Sequence, residues 1–236
     1  MRLLVFQHVD LEHPGSLRAL LDRDGIEWQT VHLYRGETIP PVENFDALWV
    51  MGGPMDVWDE DEYPWLIEEK AAIRHWVREL EKPYLGLCLG HQLLADALGG
   101  ICALQDPSEI GIYEINLTNA GLDDPIFQGM GKIQKCLQWH SVHVAQPPEG
   151  ATILAQSIDC NVQAMRVGPK AISLQYHVEI EPDTIANWAG IPAYHAALME
   201  IVGPGGLAAM RQAGDDHMLE FQKSAETLYK NFMRMI

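Results

Sequence analysis

The residues best suited to chemistry lie around Cys88, in the stretch Tyr84-Leu-Gly-Leu-Cys-Leu-Gly-His-Gln92. An apolar run of strand length enters this stretch and a helical pattern leaves it, so Cys88 lies at a strand-to-helix turn between Gly86 and Gly90. So sharp a turn crowds the neighbouring side chains, which is why small residues are needed on both sides. A buried structural cysteine has no need of these glycines, and the pattern therefore predicts a nucleophilic thiol. The amide of Leu89, at the start of the following helix, is expected to face an oxyanion that forms beside the sulfur.

A thiol nucleophile needs a base and a group that orients the base. His177 ends a strand-like run that begins at Ala171, and Glu179, two positions on, can accept a hydrogen bond from the imidazole. His140 and His143 compete for the role of the base. Their spacing also suggests a metal pair, but no carboxylate lies beside them in the sequence, and in a strand they would point to opposite faces. We therefore expect His177 as the base and no metal site.

Three separated motifs support this assignment: Gly52-Gly-Pro54, Gly86-Leu-Cys-Leu-Gly-His-Gln92 and Gln175-Tyr-His-Val-Glu179. In order and spacing they resemble the motifs of class I glutamine amidotransferase domains, over about residues 1–180. The stretches after Gly52 and Tyr63 are similar to stand-alone relatives of the amidotransferase domain of GMP synthase. The resemblance implies a flavodoxin-like sheet, with Cys88 as nucleophile, His177 as base and Glu179 as the residue that orients the base.

The resemblance also implies roles for backbone groups and for the substrate pocket. The amides of Gly53 and Leu89 would form the oxyanion hole, and no metal or organic cofactor would be required. The substrate's α-amino and α-carboxylate groups would be held by a set that comprises Gln92, His140, Ser141 and Val142. Val178 departs from the family pattern, which usually has proline between the histidine and the glutamate. Valine keeps the spacing but does not fix φ.

The elements that must position these residues alternate between strand and helix, which is typical of βαβ units and a parallel sheet. The predicted strands of the first half are Arg2–His8, Trp28–Tyr34, Phe45–Val50 and Pro83–Leu89, and the predicted helices are Gly15–Asp24, Tyr63–Leu80 and His91–Leu98. Short strand-like runs follow at Ile110–Leu117, Leu137–Val144, Thr152–Gln156, Val162–Val167 and Ala171–Tyr176.

From Pro182 onward the pattern is helical, with one break at residues 203–206. The sequence thus predicts an α/β fold with a mostly parallel, flavodoxin-like sheet flanked by helices, antiparallel additions and extra C-terminal helices. We expect a single class I glutamine amidotransferase-like domain over residues 1–236, with a core at about 1–180 and a helical extension at 182–236.

Composition excludes several classes of function. The 236 residues have a net charge of −17, which disfavours nucleic acid and anionic membranes as partners. No apolar run approaches the roughly 20 residues of a membrane-spanning helix, and the N-terminus has the pattern of a first strand rather than of a signal peptide. Four cysteines without metal-ligand spacing fit reduced thiols in the cytoplasm.

Two enzyme functions fit the sequence. Either glutamine is hydrolysed and the ammonia passes to a separate synthase subunit, or the same triad cleaves another γ-glutamyl compound, as peptidase relatives of this family do. A cysteine-dependent α/β-hydrolase would need its acid before the histidine, where Asp159 is the candidate. A non-catalytic binding subunit is disfavoured by the intact Cys88, His177 and Glu179. The residues after 182 offer a docking area for a partner, and we expect slow turnover of glutamine without one.

Overall fold

A computed structural model describes residues 1–236, and a nine-stranded mixed sheet forms its centre. The strands are β1 (Arg2–Gln7), β2 (Glu27–His32), β3 (Ala47–Val50), β4 (Tyr84–Leu87), β5 (Ile101–Leu117), β6 (Ile133–Gln146), β7 (Ala151–Gln156), β8 (Ala164–Val167) and β9 (Ala171–Leu174). The helices are α1 (Leu17–Arg23), α2 (Trp65–His75), α3 (Leu89–Ala97), α4 (Asn119–Asp123), α5 (Thr184–Trp188), α6 (Pro192–Ile201) and α7 (Gly206–Met233).

The sheet has a parallel half and an antiparallel half. Its order is β2-β1-β3-β4-β9-β8-β7-β5-β6, and the first five strands are parallel neighbours in the flavodoxin-like order. The other pairs, from β9–β8 to β5–β6, are antiparallel. The α/β fold class and the antiparallel additions are confirmed, although antiparallel pairs are as numerous as parallel ones.

Apolar residues on both faces of the parallel strands explain the layers. All four residues of each of β3, β4 and β9 are buried, as expected for strands covered by helices on both sides. Helices α1 and α7 pack on one face through residues such as Leu21 and Leu228, and α2 and α3 pack on the other through Leu66 and Leu93. A third cluster joins α5, α6 and α7 to β5 and β6.

Several predicted boundaries differ from the structure. Strand β5 begins nine residues before the predicted Ile110, because the polar residues 105–109 hide it, and its register shifts between Leu104 and Glu109. The predicted helix 63–80 ends as an α-helix at His75 and continues as a π-helical turn, Trp76–Leu80. The short helix α4 was not predicted. None of the helices, including the 28-residue α7, is long and apolar enough to cross a membrane.

Candidate active site

Four loops meet at one edge of the sheet, because the strands before them are parallel neighbours. Strands β1, β3, β4 and β9 lie side by side, and their carboxyl ends point the same way. Open α/β sheets bind ligands at this edge. The loops hold the polar and glycine residues of interest, which are His8, Glu12, Gly52, Gly53, Cys88, His177 and Glu179.

The turn at Cys88 has the strained geometry expected of an elbow. Cys88 has φ 51° and ψ −104°, a backbone conformation that residues with a Cβ rarely adopt. A Cβ on Gly86 would lie 2.5 Å from the carbonyl oxygen of Gly90, and one on Gly90 would lie 2.1 Å from that of Val50. Neither position has room for a side chain, which agrees with the prediction that small residues are needed on both sides of the turn. The elbow places Cys88, only 4% exposed, at the base of a pocket.

The side chains of His177 and Glu179 form a buried pair beside this pocket. Nδ1 of His177 lies 2.7 Å from Oε1 of Glu179, and the amide of Val178 donates to the other carboxylate oxygen at 2.9 Å. Burial works to lower the pKa of His177, but its interactions with Glu179 and Cys88 outweigh burial and raise the pKa well above its usual value. Nε2 makes no hydrogen bond that meets normal geometry, so this nitrogen is the one available to the nearby thiol.

Two other histidines near Cys88 are already fully engaged. His91 lies three residues after it, but its ring bonds Ser173 and the carbonyl of Val162, and burial lowers its pKa to about 3. His140 lies 2.9 Å from Glu109 through Nε2 and 3.0 Å from the carbonyl oxygen of Val142 through Nδ1. Neither ring has a nitrogen left to accept a proton from the thiol, which favours His177 as the base.

The residues expected to form the oxyanion hole lie against each other. A Cβ on Gly53 would come within 2.9 Å of Cδ2 of Leu89, and Gly53 lines the pocket together with Cys88. Neither the amide of Gly53 nor that of Leu89 donates a hydrogen bond to the backbone of the chain. Both donors are thus free for an oxyanion, and their role stays a prediction.

The structure also brings the predicted substrate-binding residues to the same pocket, which measures about 150 Å³. Gln92, His140, Ser141 and Val142 all line it. The amide nitrogen of Gln92 donates to the carbonyl oxygen of Val142 at 2.9 Å and to Oε1 of Gln175 at 3.2 Å. The side chain of Gln92 therefore holds Val142 of β6 in place, and only its side-chain oxygen is left to bind a ligand. Which substrate group each residue holds stays a prediction.

A buried carboxylate fixes the β6 side of the pocket from behind. Glu109 accepts hydrogen bonds from His140, Ser157 and Gln163 at 2.7–2.9 Å. Burial would raise the pKa of Glu109, but the hydrogen bonds from His140 and Ser157 and the charge of His140 lower it below its usual value. No sequence pattern indicated this group, because Glu109 lies in the polar stretch that also hid the start of β5.

Three further residues at the site were missed in the sequence. Nε2 of Gln175 lies 3.7 Å from the sulfur of Cys88 and can donate to it. Tyr194 donates its hydroxyl proton to Oε1 of Glu12 at 2.5 Å, and burial raises the pKa of this carboxyl. Gln175 stood within a recognised motif, whereas Glu12 and Tyr194 lie 182 positions apart and nothing in the sequence joins them.

Glu12, His177 and Glu179 place ligand-type atoms within 4.8 Å of one another, which raises the question of a metal. Hydrogen bonds already occupy Nδ1 of His177, both oxygens of Glu179 and one oxygen of Glu12. The free atoms that remain are Oε2 of Glu12 and Nε2 of His177. The arrangement is thus that of a hydrogen-bonded acid–base group rather than of an open metal-binding site.

The C-terminal helices complete the pocket. Ala193, Tyr194 and Ala197 of α6 line it, and the ring of Tyr194 lies 5.6 Å from that of Trp139 on β6. Trp188 of α5 packs edge-on against the ring of His177, with 4.4 Å between ring centroids, and donates its indole proton to the carbonyl of Leu11. Residues beyond 182 therefore shield the base from water.

Comparison with known proteins gives one consistent family. The model of the glutamine amidotransferase class-I family matches residues 16–186. The glutamine amidotransferase-like protein YfeJ of Salmonella typhimurium is 27% identical over 98% of this chain and 95% of its own. One of the subunits of the glutamine-hydrolysing GMP synthase of Saccharolobus solfataricus is 33% identical over 61% of this chain and 76% of its own. A glutamine amidotransferase from Thermotoga maritima has a similar crystal structure, with a TM-score of 0.87 at 25% identity, covering 98% of this chain and 97% of that one.

Proposed function

The chain belongs to the class-I glutamine amidotransferase family, and we propose that it hydrolyses the side-chain amide of glutamine through a γ-glutamyl thioester on Cys88. One observation supports this proposal above the others. A strained cysteine that lines the pocket interacts with His177, whose Nε2 is free and whose other nitrogen is held by Glu179. This is the arrangement of nucleophile, base and orienting group that acyl transfer requires.

In the first half of the proposed reaction, Nε2 of His177 takes the thiol proton and the sulfur attacks the amide carbon of the substrate. The raised pKa of His177 favours the protonated ring that this transfer produces. The amides of Gly53 and Leu89 stabilise the oxyanion, each donor being worth roughly 3 kcal/mol. His177 then gives its proton to the leaving nitrogen, so that ammonia departs and the γ-glutamyl thioester remains.

In the second half, His177 removes a proton from water, and the hydroxide attacks the thioester carbon. The C–S bond breaks, glutamate leaves, and the proton on His177 returns to the sulfur of Cys88. Glu179 holds the ring in place throughout, because its oxygen accepts from Nδ1 at 2.7 Å. The chain's own residues thus account for every proton in the cycle.

We propose that the ammonia passes to a separate synthase subunit. The relatives that are named as one subunit of a GMP synthase support this, since a protein so named implies at least one further subunit. The alternative, a γ-glutamyl peptidase that cleaves a γ-glutamyl conjugate with the same triad, would use the same chemistry up to the leaving group. Residues 1–236 are proposed to act as one domain, because the extension at 182–236 forms part of the pocket. A location in the cytoplasm stays a prediction, and the four cysteines are unpaired.

Substrate profiling of the purified chain tests the proposal. Glutamine, glutathione and γ-glutamyl amines would be compared by the release of glutamate, with Cys88→Ala as the inactive variant and Cys102→Ala as the matched control. Cys102 is a free, partly buried thiol that does not line the pocket and bonds only the backbone carbonyl of Gln92, so its loss is expected to leave turnover unchanged. Slow turnover of glutamine would fit activation by a partner, whereas slow glutamine turnover beside rapid cleavage of a γ-glutamyl peptide would favour the peptidase. Full activity of Cys88→Ala would refute both.

A further inference from the structure

A second buried histidine–carboxylate pair lies behind the Gly52–Gly53 loop of the pocket. Nε2 of His8 is 2.9 Å from Oε1 of Glu69, and Nδ1 of the same ring is 2.8 Å from the carbonyl oxygen of Gly52. Both side chains are completely buried. The ring of Trp65 stacks on that of His8 at 5.6 Å with an interplanar angle of 15°. Both ring nitrogens of His8 and one face of its ring are thus held in place, and the mechanism above does not use this residue.

The hydrogen bonds of this pair define where its protons lie. A carbonyl oxygen can only accept, so Nδ1 of His8 must carry a proton that it donates to Gly52. A second proton must lie between Nε2 and the carboxyl of Glu69. Burial works to lower the pKa of His8, but Glu69 and the bond to Gly52 outweigh it and raise the pKa. A raised pKa favours the imidazolium form of His8, in which both ring nitrogens donate and the bond to the Gly52 carbonyl is charge-assisted.

The position of the Gly52 carbonyl decides the direction of the next amide. The peptide bond between Gly52 and Gly53 is trans, since the only cis bond of the chain precedes Pro107. In a planar trans peptide the C=O and N–H bonds point in opposite directions. With its carbonyl directed at His8, this peptide must direct the N–H of Gly53 away from His8. That N–H has no backbone acceptor, and Gly53 lines the pocket with Cys88.

We propose that His8, held by Glu69, is a positioning residue that fixes the Gly52–Gly53 peptide with the Gly53 amide directed at the oxyanion formed beside Cys88. The catalytic meaning of this inference rests on the function proposed above. Two adjacent glycines need such a device, because without a Cβ their peptide can rotate at little steric cost. A charged donor on the carbonyl also polarises the peptide unit, which makes its N–H a stronger donor to the oxyanion.

An isosteric pair of substitutions tests the inference. Asparagine and leucine have the same shape, and only asparagine can place an N–H where Nδ1 of His8 stood. Both His8→Asn and His8→Leu are made together with Glu69→Leu, so that neither protein contains an unpaired buried carboxylate. Thermal unfolding checks that both fold, and Glu69→Gln replaces Glu69→Leu if they do not. His75→Leu is the control, since that half-exposed ring on α2 pairs only with surface carboxylates.

Two measurements are made on each protein: kcat and KM for the best γ-glutamyl substrate, and a crystal structure of the loop. With leucine at position 8, kcat should fall roughly 10- to 100-fold, while KM changes less than about threefold. This fall in kcat is no greater than the one that follows the removal of an oxyanion-hole donor, because the Gly53 amide is displaced rather than deleted. Asparagine should restore most of kcat, and the control should match the wild type. The crystal structures should show the Gly52–Gly53 peptide rotated with leucine and in its original orientation with asparagine.

Equal kcat values for the asparagine and leucine proteins, or an unrotated peptide with leucine, would overturn the inference. If the wild type releases glutamate from none of the compounds, the proposed function fails by itself. The orientation of the peptide in the two crystal structures then still decides whether His8 positions it.

Discussion

Glycine at position 88 is expected to give a more stable fold than alanine at the same position, although glycine ordinarily does the opposite. The relevant comparison is Cys88→Gly against Cys88→Ala, because both lack the sulfur and differ only in the Cβ. At φ 51° and ψ −104° a Cβ is strained, and such conformations cost on the order of 1–3 kcal/mol. Glycine relieves this strain but loses about 0.5–1 kcal/mol through the greater freedom of its unfolded chain. The glycine protein should therefore be more stable than the alanine protein by about 1 kcal/mol.

Urea unfolding at 25 °C measures this difference, and thermal unfolding should show a shift of about 2–4 °C for a chain of this size. The control is Ala71→Gly, at an exposed position within α2 where the backbone is helical, and it should lose about 0.5–1 kcal/mol. Both Cys88 variants should release no glutamate. If glycine at position 88 destabilises as much as the control does, the elbow is not strained and the structural argument for the nucleophile is wrong.

Three further predictions concern buried hydrogen bonds. Tyr194→Phe removes the only hydrogen bond of the Glu12 carboxyl and should lower the free energy of unfolding by about 1–3 kcal/mol in urea, whereas no loss would mean that water replaces the hydroxyl. The pKa of Glu109 is lowered in the folded state, so the ionised carboxylate stabilises the fold above its unfolded pKa of about 4.5, and this stabilisation is lost as the pH falls through the folded pKa. Glu109→Gln should therefore reduce the fall in the free energy of unfolding that is measured as the pH is lowered from 7 to 3. Val178→Pro removes the amide that donates to Glu179 and should slow glutamate release without changing KM; unchanged kcat would show that this bond does not orient the carboxylate.

The proposed nucleophile, its proposed base and the Gly52–Gly53 loop could be predicted from the sequence because each depends on local geometry. An elbow needs Gly86 and Gly90 within two residues of Cys88, and the structure shows why, since a Cβ at either position would collide with backbone. The parallel strands could be found for a similar reason. They are buried on both faces and are therefore apolar throughout.

What the sequence could not provide are contacts between distant segments. Glu12 and Tyr194 meet only because the loop after β1 and helix α6 both cover the carboxyl edge of the sheet. The bond between His8 and Glu69 likewise joins the end of β1 to the face of α2. A polar residue beside an apolar strand gives no sign of its partner, since many such residues are exposed. The start of β5 was missed because the polar residues 105–109 interrupt the apolar alternation on which strand patterns depend.

Val178 shows how a departure from a family pattern can be compensated within the site. Proline at this position would fix φ but has no N–H, so it could not bond the neighbouring carboxylate. Valine leaves φ free and supplies an amide that donates to Oε2 of Glu179 at 2.9 Å, while Oε1 accepts from His177 at 2.7 Å. Each oxygen of the carboxylate thus has its own donor. The orientation of the imidazole then depends on this hydrogen bond, where the family usually has a proline ring. Trp188 also packs against His177 and helps to hold the imidazole in place.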